Sequence, residues 1–545
     1  MKIAFSAMWP RNADKIRKIL LFLVPFVYVA VLCNSVTGEL FWSDDPEEMA
    51  FVRSRSFSQL LVAHDAFGYF RPIKNLLWFG FSRLEPYGIE WCHILAIAIG
   101  IVSFFPVLLL CRRIFANEWK ALAAATTWLL SPTLVSSAAW LSCVNIQMMV
   151  AFASAAIVLH DKGWEGGTFH PARFGCADVF LFLALVSYEC AIAVVLILLA
   201  FDWILRPGRL RNRVAWKAHA CHWIVAAVYL MLRAHVGANV KMQHRWIEAT
   251  RGQLILSSPF FTARHFTDWF WPFGKFSVGG SYIWGEVSPM ALAGCAAIGI
   301  AVLVFAILSR KRFPALSFCL LFALLAFAPV SNCLGHGNGP YGDYYLALAS
   351  VGLSVGSIEI VWRIATIRGP LFLPAFAIAA SFVLARVAAV PEAARWARFW
   401  SNDRLAYAES LHNHPESLQN QLGELRNLVV EQKWDEVLEL GKQIERKVGP
   451  DSSFMRFVYV SRLLNAVINE KNKEAGKAAL EGFSAVADEY ENAGEVSYYR
   501  GVIAEFLDHD PSLAEAEYRK ALEDSRDTEL SNNCRKALDR IASSH

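Results

Sequence analysis

Asp44 and Asp45 stand side by side directly after an apolar run that ends near residue 36. Neighbouring carboxylates repel, so one of them holds its proton more tightly and can serve as a general base. Paired oxygens also suit a divalent ion. Arg71 and Lys74 follow in the same polar stretch. A guanidinium fork grips two phosphate oxygens, and an ammonium adds a point charge. Glu189 is an isolated acid between two apolar runs, in Ser187-Tyr188-Glu189, and acids in such surroundings are functional by default. Arg264-His265 opens an aromatic stretch, and a Gly-rich segment runs from His336 through Tyr344 to Tyr345. Bland readings stand beside these. The acidic pair also reads as a solvated loop, Arg71 and Lys74 as side chains reaching for lipid headgroups, and a lone His as structural.

The elements that must carry these residues are apolar helices. Of 545 residues, 55% are hydrophobic and only 18% charged, where a soluble chain has about a quarter charged. A bilayer span needs about 20 apolar residues. Eleven intervals qualify: 16–36, 89–111, 118–133, 144–160, 174–188, 190–205, 217–236, 288–308, 313–331, 345–366 and 370–390. The first follows a basic stretch (Arg11, Lys15, Arg17, Lys18) and has no small-residue cleavage site after it, so it reads as an uncleaved span rather than a signal peptide.

Basic residues set the orientation. They cluster before the first span, at Arg112-Arg113 with Lys120, from Lys162 to Arg173, from Arg206 to Lys217, at Arg310-Lys311-Arg312 and from Arg363 to Arg368. All fit the cytoplasmic side together. Residues 174–205, flanked by basic clusters at both ends, must then go out and return, with Ser187-Tyr188-Glu189 at the outer tip. Residues 118–160 form a second hairpin with its tip near Ser131-Pro132. The long segments 37–88 and 237–287 fall outside, and parts of both read as amphipathic helices in the interface. An odd number of spans puts the C-terminus outside as well.

Charge separates two domains. Residues 1–391 hold 32 Lys+Arg against 20 Asp+Glu, whereas 392–545 hold 20 against 28. Beyond about residue 403 the pattern changes to short amphipathic helices. Leu418, Leu422, Leu425 and Val429 share one helical face. Tyr498 to Phe506, Asp510-Pro511 and Ala514 to Ala521 read as a helix pair resembling a degenerate tetratricopeptide unit. Stacked pairs of this kind form concave surfaces for partners, and a plain packing domain is the other reading. The eleven Cys show no CxxC pair and no zinc-type Cys/His spacing. No disulfide framework or metal-ligand set is assigned.

The order of these features resembles the GT-C superfamily of membrane glycosyltransferases, in particular the tetratricopeptide-repeat protein O-mannosyltransferases and their bacterial relatives. The matching pieces are Asp44-Asp45, Tyr69-Phe70-Arg71-Pro72, Ser131-Pro132 through Trp140-Leu141-Ser142, Ser187-Tyr188-Glu189, and Tyr344-Tyr345-Leu346 leading to Ser350-Val351-Gly352. They cover most of residues 1–390 in order. The resemblance implies an all-α polytopic bundle of about eleven spans (1–391) followed by a soluble tetratricopeptide-like domain (392–545). It implies sugar transfer from a polyprenyl-phosphate donor to a protein, glycan or lipid acceptor on the periplasmic side of a bacterial inner membrane. Asp44 would be the catalytic acid/base, with Asp45 beside it, and Arg71 would touch the donor phosphate, helped by Lys74. The family often has an acid near the second outer tip, where this chain has Ser136 and Ser137, and its usual Arg before the tenth span is here Tyr344. Arg264 or His336 would then supply the second phosphate contact. The cofactor is left as unknown, with a divalent metal an option. Expected partners are the lipid-linked donor, the acceptor and membrane lipids, with no nucleic acid. A secondary transporter would need ionisable groups at the bilayer midplane, and a scaffold would leave Asp44, Arg71 and Glu189 without a role.

Overall fold

The computed structural model describes residues 13–36, 44–165, 168–237, 250–271, 273, 278, 287–334, 343–366, 372–452, 454–486, 494–524 and 528–544. All regular structure among them is helical. Two compact units emerge, one built from Met1–Met242, Ala249–Gly274 and Ile283–Asp403, the other mainly from Arg404–His545.

The first unit holds α1 (Ala13–Val36), α2 (Asp45–Arg53), α3 (Phe57–Val62), α4 (Pro72–Leu84), α5 (Ile89–Ile114), α6 (Glu118–Leu129), α7 (Pro132–Ala139) and α8 (Val144–Lys162). It continues with α9 (Pro171–Leu185), α10 (Ala193–Leu205), α11 (Arg213–His235), α12 (Arg251–Phe270), α13 (Pro289–Leu308), α14 (Pro314–Phe327), α15 (Ala349–Ala365) and α16 (Phe372–Trp400). A helix lies on each of the eleven apolar intervals. Among the described residues, four helices are long and apolar enough to cross a membrane: Ile89–Ile114, Leu141–Lys162, Pro289–Leu308 and Phe376–Trp400. Their burial differs. The apolar window of Leu141–Lys162 is 83% buried within the protein, that of Pro289–Leu308 only 6%. A helix apolar all round must be covered by something. For Leu141–Lys162 the cover is other helices, whereas Pro289–Leu308 turns almost all of its apolar surface outward, with the length and composition of a membrane-crossing helix. The expected hairpin tip at Ser131-Pro132 is more than a turn. It starts α7, whose eight residues are all buried. Ser136 and Ser137 donate to the carbonyls of Thr133 and Leu134, at 2.8 Å each, which lets them sit in that interior.

The second unit stacks helix pairs: α17 (Asp403–Asn413), then α18 (Leu418–Val430) with α19 (Trp434–Val448), α20 (Met455–Asn465) with α21 (Lys473–Val486), α22 (Glu495–Ile503) with α23 (Pro511–Asp524), and finally α24 (Thr528–Ser544). The pairs share one turn. Gln432, Lys471 and His509 each adopt a left-handed conformation, at intervals of 39 and 38 residues. In the second and third pairs the first helix widens into a π turn before that residue. The next amide then bonds back across the turn, Asn472 N–H to Ala466 O and Asp510 N–H to Ala504 O, both 2.9 Å. Leu418, Leu422 and Leu425 are buried as the periodicity expects, while Val429 is half-buried and Leu428 completes the face.

Candidate active site

Two short helices hold the acidic pair and the cations against the bundle. Met49 and Val52 of α2 and Trp78 and Phe81 of α4 share a core with Cys92, Ala96, Leu141 and Val144. Pro72 occupies the first turn of α4, where its missing N–H costs nothing. That fixes the helix start and turns Lys74 and Asn75 into the interior. Asn75 Nδ2 donates to Leu60 O at 3.1 Å, tying α4 to the end of α3. The Ile73 amide donates to Val186 O at 3.2 Å, and Asn145 Nδ2 donates to Ser187 O at 2.7 Å. These two bonds bring the 187–189 tip against Arg71.

Asp44 is the N-cap residue of α2 and is half-buried, and its carbonyl accepts from the Glu48 amide at 3.1 Å. Asp45 is buried. Its Oδ1 accepts from the Ser142 amide at 3.0 Å and from Ser142 Oγ at 2.6 Å. Burial pushes its carboxyl up to about 8; the Ser142 bonds pull the other way, and the charge of Asp44 adds to the rise. The repulsion expected of an adjacent pair is thus present, second to desolvation.

Glu48, one helical turn beyond Asp45, is wholly buried and meets Lys74 Nζ at 2.5 Å. Burial lifts its carboxyl to about 7 although Lys74 opposes the shift. Lys74 also lies 3.6 Å from Asp65 Oδ2. Burial works against its charge, yet Glu48 and Asp65 hold its pKa above the usual lysine value. Asp65 builds its own turn. Its Oδ1 accepts from the amides of Phe67 (3.1 Å) and Tyr69 (2.8 Å), and Gly68 takes the left-handed conformation the turn requires, φ +82°. The other Asp65 oxygen faces Arg71 Nη1 at 3.6 Å.

Arg71 closes the array. Its Nε and Nη2 donate to the two oxygens of Glu189 at 2.7 and 2.5 Å. Its guanidinium carbon lies 4.0 Å from the Tyr69 ring centroid and 4.4 Å from that of Tyr188. Burial disfavours the Arg71 charge, but Glu189 more than offsets it and its pKa stands well above the ordinary value. Burial alone would raise Glu189; the Arg71 charge and fork hold it below the usual range. Arg233, in the last turn of α11, adds to the positive field on Glu189.

The structure thus joins four of the residues singled out in the sequence, Asp45, Lys74, Arg71 and Glu189, with Asp44 at the head of the same helix. The links are Glu48 and Asp65, which sequence reasoning missed, and Ser142, which it quoted only within Trp140-Leu141-Ser142 and gave no role. Glu48 had a signal, its spacing from Asp45 on one helical face. Asp65 had none. Tyr344 packs edge-on to Trp140, centroids 5.5 Å apart, and Trp140 stacks on Trp400 at 5.5 Å. Arg264 is placed on α12, 3.7 Å from Asp268 one turn along. His336 lies outside the described residues. Chemically the array offers a half-buried acid, a proton-holding acid behind it, and a guanidinium locked in place.

No family model matches the chain, and no curated protein sequence does. Among solved structures, the apo oligosaccharyltransferase of Archaeoglobus fulgidus is similar at 14% identity, with a TM-score of 0.43 over 93% of this chain and 73% of that one. The same enzyme tethered to an acceptor peptide gives 14% and 0.41 over 92% and 72%. ArnT from Cupriavidus metallidurans, bound to undecaprenyl phosphate, gives 13% and 0.36 over 82% and 85%. At such identities function must be argued from the site.

Proposed function

We propose that this protein is a GT-C-type membrane glycosyltransferase that moves a sugar from a polyprenyl-phosphate donor to an acceptor hydroxyl on the outer face of the membrane. The observation that carries the reading is the Arg71 guanidinium, pinned by Glu189 and two tyrosine rings on the segment that also bears Asp44. It lies at the end of the bundle opposite the basic loops that follow α8 and α10. A guanidinium fixed before the reaction stabilises a departing phosphate without reorganisation.

In this reading the acceptor hydroxyl loses its proton to Asp44 while its oxygen bonds the anomeric carbon. The bond from that carbon to the phosphate oxygen breaks, and polyprenyl phosphate leaves against Arg71. Asp45 and Ser142 hold α2 in place. Lys74 balances Glu48 and Asp65 so that Arg71 keeps its position. The helices on the eleven apolar intervals of 1–391 cross the bilayer with the N-terminus in the cytoplasm. Residues 392–545, a tetratricopeptide-like stack, hold the acceptor, a protein or surface glycan. The setting is a bacterial inner membrane.

The direct test is binding of undecaprenyl phosphate, the leaving product, to the purified full chain by native mass spectrometry. Wild type should bind, and Arg71→Ala should bind about tenfold more weakly, the loss of one charge-assisted contact. Equal binding by the two would remove Arg71 from the donor site and the reading with it.

A further inference from the structure

A second cluster of ionisable groups lies at the other end of α8. His160, near its C-terminus, sits 15 residues from Asn145, which is about 22 Å along a helix. Asp202 on α10 and His219 on α11 meet it there, all three buried. Their ligating atoms lie within 4.8 Å of one another. His160 Nε2 is 2.9 Å from Asp202 Oδ2, and His219 Nε2 is 3.1 Å from the same oxygen.

The surroundings fix the hydrogens. His222 Nδ1 faces Asp178 Oδ1 at 2.5 Å, and His222 Nε2 faces His160 Nδ1 at 2.9 Å. A carboxylate accepts only, so His222 carries its hydrogen on Nδ1. Its Nε2 then accepts from His160 Nδ1. With both rings neutral, that leaves a lone pair on His160 Nε2 pointing at the Asp202 carboxylate. Three contacts run from Asp178 to Asp202, and two neutral imidazoles supply hydrogens for two of them. The third contact needs either one more proton or a metal ion.

We propose that a divalent metal of borderline softness, zinc, occupies it, bound by His160 Nε2, His219 Nε2 and Asp202 Oδ2, with water in the fourth position. Two imidazoles and a carboxylate are a usual zinc donor set, and zinc–ligand distances of about 2.0–2.2 Å place tetrahedral ligands about 3.3 Å apart. The two spacings to Asp202 Oδ2, 2.9 and 3.1 Å, need shifts of only a few tenths of an ångström, and the two imidazole nitrogens lie within 4.8 Å of each other. The outer shell is present too. His160 is oriented by the His222–Asp178 relay, as metal-bound imidazoles are. Arg209 Nη1 holds the other Asp202 oxygen at 3.1 Å, leaving Oδ2 to the metal. That guanidinium is nearer to Asp161, at 2.6 Å, which also pairs with Arg206 at 3.1 Å. Asp161 thus shares Arg209 with Asp202 and draws that guanidinium to the Oδ1 side, away from the metal-facing Oδ2. Three ligands from three helices make the ion a staple across α8, α10 and α11, remote from the transfer site.

The test uses the full chain, purified without a histidine tag. Elemental analysis should find about one zinc per chain, the content of a single site with three protein ligands and a water. After chelator treatment, ZnCl2 alone should restore the zinc and raise the melting temperature. His219→Ala and Asp202→Asn should lose the zinc. His222→Ala should weaken it about 10–100-fold, as outer-shell changes do, while the exposed His235→Ala on the same helix should keep it. A stripped wild type that takes up no zinc and melts identically with and without ZnCl2 overturns the proposal and leaves a proton in the third contact. That comparison decides even if the ligand variants fail to fold. Retention of zinc by a folded His219→Ala overturns it as well.

Discussion

Arg71 and Glu189, 118 residues apart in the chain, meet edge to edge through two parallel hydrogen bonds of 2.7 and 2.5 Å. Tyr69, two residues before Arg71, and Tyr188, next to Glu189, cover the guanidinium with their rings. The two segments therefore act as one unit, joined further by the Ile73–Val186 and Asn145–Ser187 bonds. Glu189 occupies two of the Arg71 nitrogens, and the third, Nη1, pairs more loosely with Asp65 at 3.6 Å, so it is the nitrogen proposed to meet a phosphate.

Arg71→Lys should separate charge from shape. An ammonium keeps the charge but cannot span both Glu189 oxygens or stack as a plane between two rings. Donor affinity and turnover should both fall, and Arg71→Ala should lower them further. Titration of purified variants with polyprenyl-phosphate sugar measures this. Arg71→Lys turnover equal to wild type would mean that only charge matters there, and the fork has no role.

The two neighbouring acids should differ. Asp44, half-buried at the head of α2, is proposed as the base, and loss of a general base costs ~10²–10⁴-fold in rate. Asp45 holds its proton at neutral pH, so Asn is a close mimic of it and its Oδ1 still accepts from Ser142. Asp44→Asn should abolish transfer with the fold intact, and Asp45→Asn should be mild. The reverse order of sensitivity would move the catalytic role by one residue.

Much of this was legible in the sequence, for physical reasons. Long apolar runs leave helices little alternative, so a helix appears on every expected interval. The periodic Leu418, Leu422 and Leu425 found their core. Acids and cations bordering apolar runs stood out, as Asp45, Arg71, Lys74 and Glu189 did. What the sequence hides is pairing at a distance. Nothing local joins Arg71 to Glu189 or Asp45 to Ser142, since those contacts depend on how α2, α4 and the 187–189 tip dock. The His160, Asp202 and His219 cluster was hidden for the same reason. Each residue lies alone in a different helix, and each by itself reads as an ordinary core residue.

Topology gives an independent check. In the proposed topology the basic clusters would keep the loops after α8 and α10 inside, and an odd span count would place the C-terminus outside. A reporter that matures only outside the cytoplasm, fused after His545, should be active. Activity from a cytoplasmic reporter at the same position would make the span count even and put the helical stack inside.

The pH dependence of stability should carry the signature of Asp45. Its carboxyl titrates near 8 in the folded protein against an ordinary value near 3.8 when unfolded. Between those values the folded state binds the proton and the unfolded state does not. Stability then falls as pH rises through this window, because the folded state binds more protons than the unfolded one. Glu48, lifted to about 7, contributes in the same direction. Asp45→Asn removes one titrating group while keeping the Ser142 bonds. Melting temperatures of wild type should therefore decline between about pH 5 and pH 8 more steeply than those of Asp45→Asn. Ser142→Ala, which deletes the hydroxyl that favours the ionised form, should move the wild-type decline to higher pH. Parallel melting curves for wild type and Asp45→Asn across that range would show that Asp45 is ionised in the fold, and the mildness expected of Asp45→Asn would lose its basis.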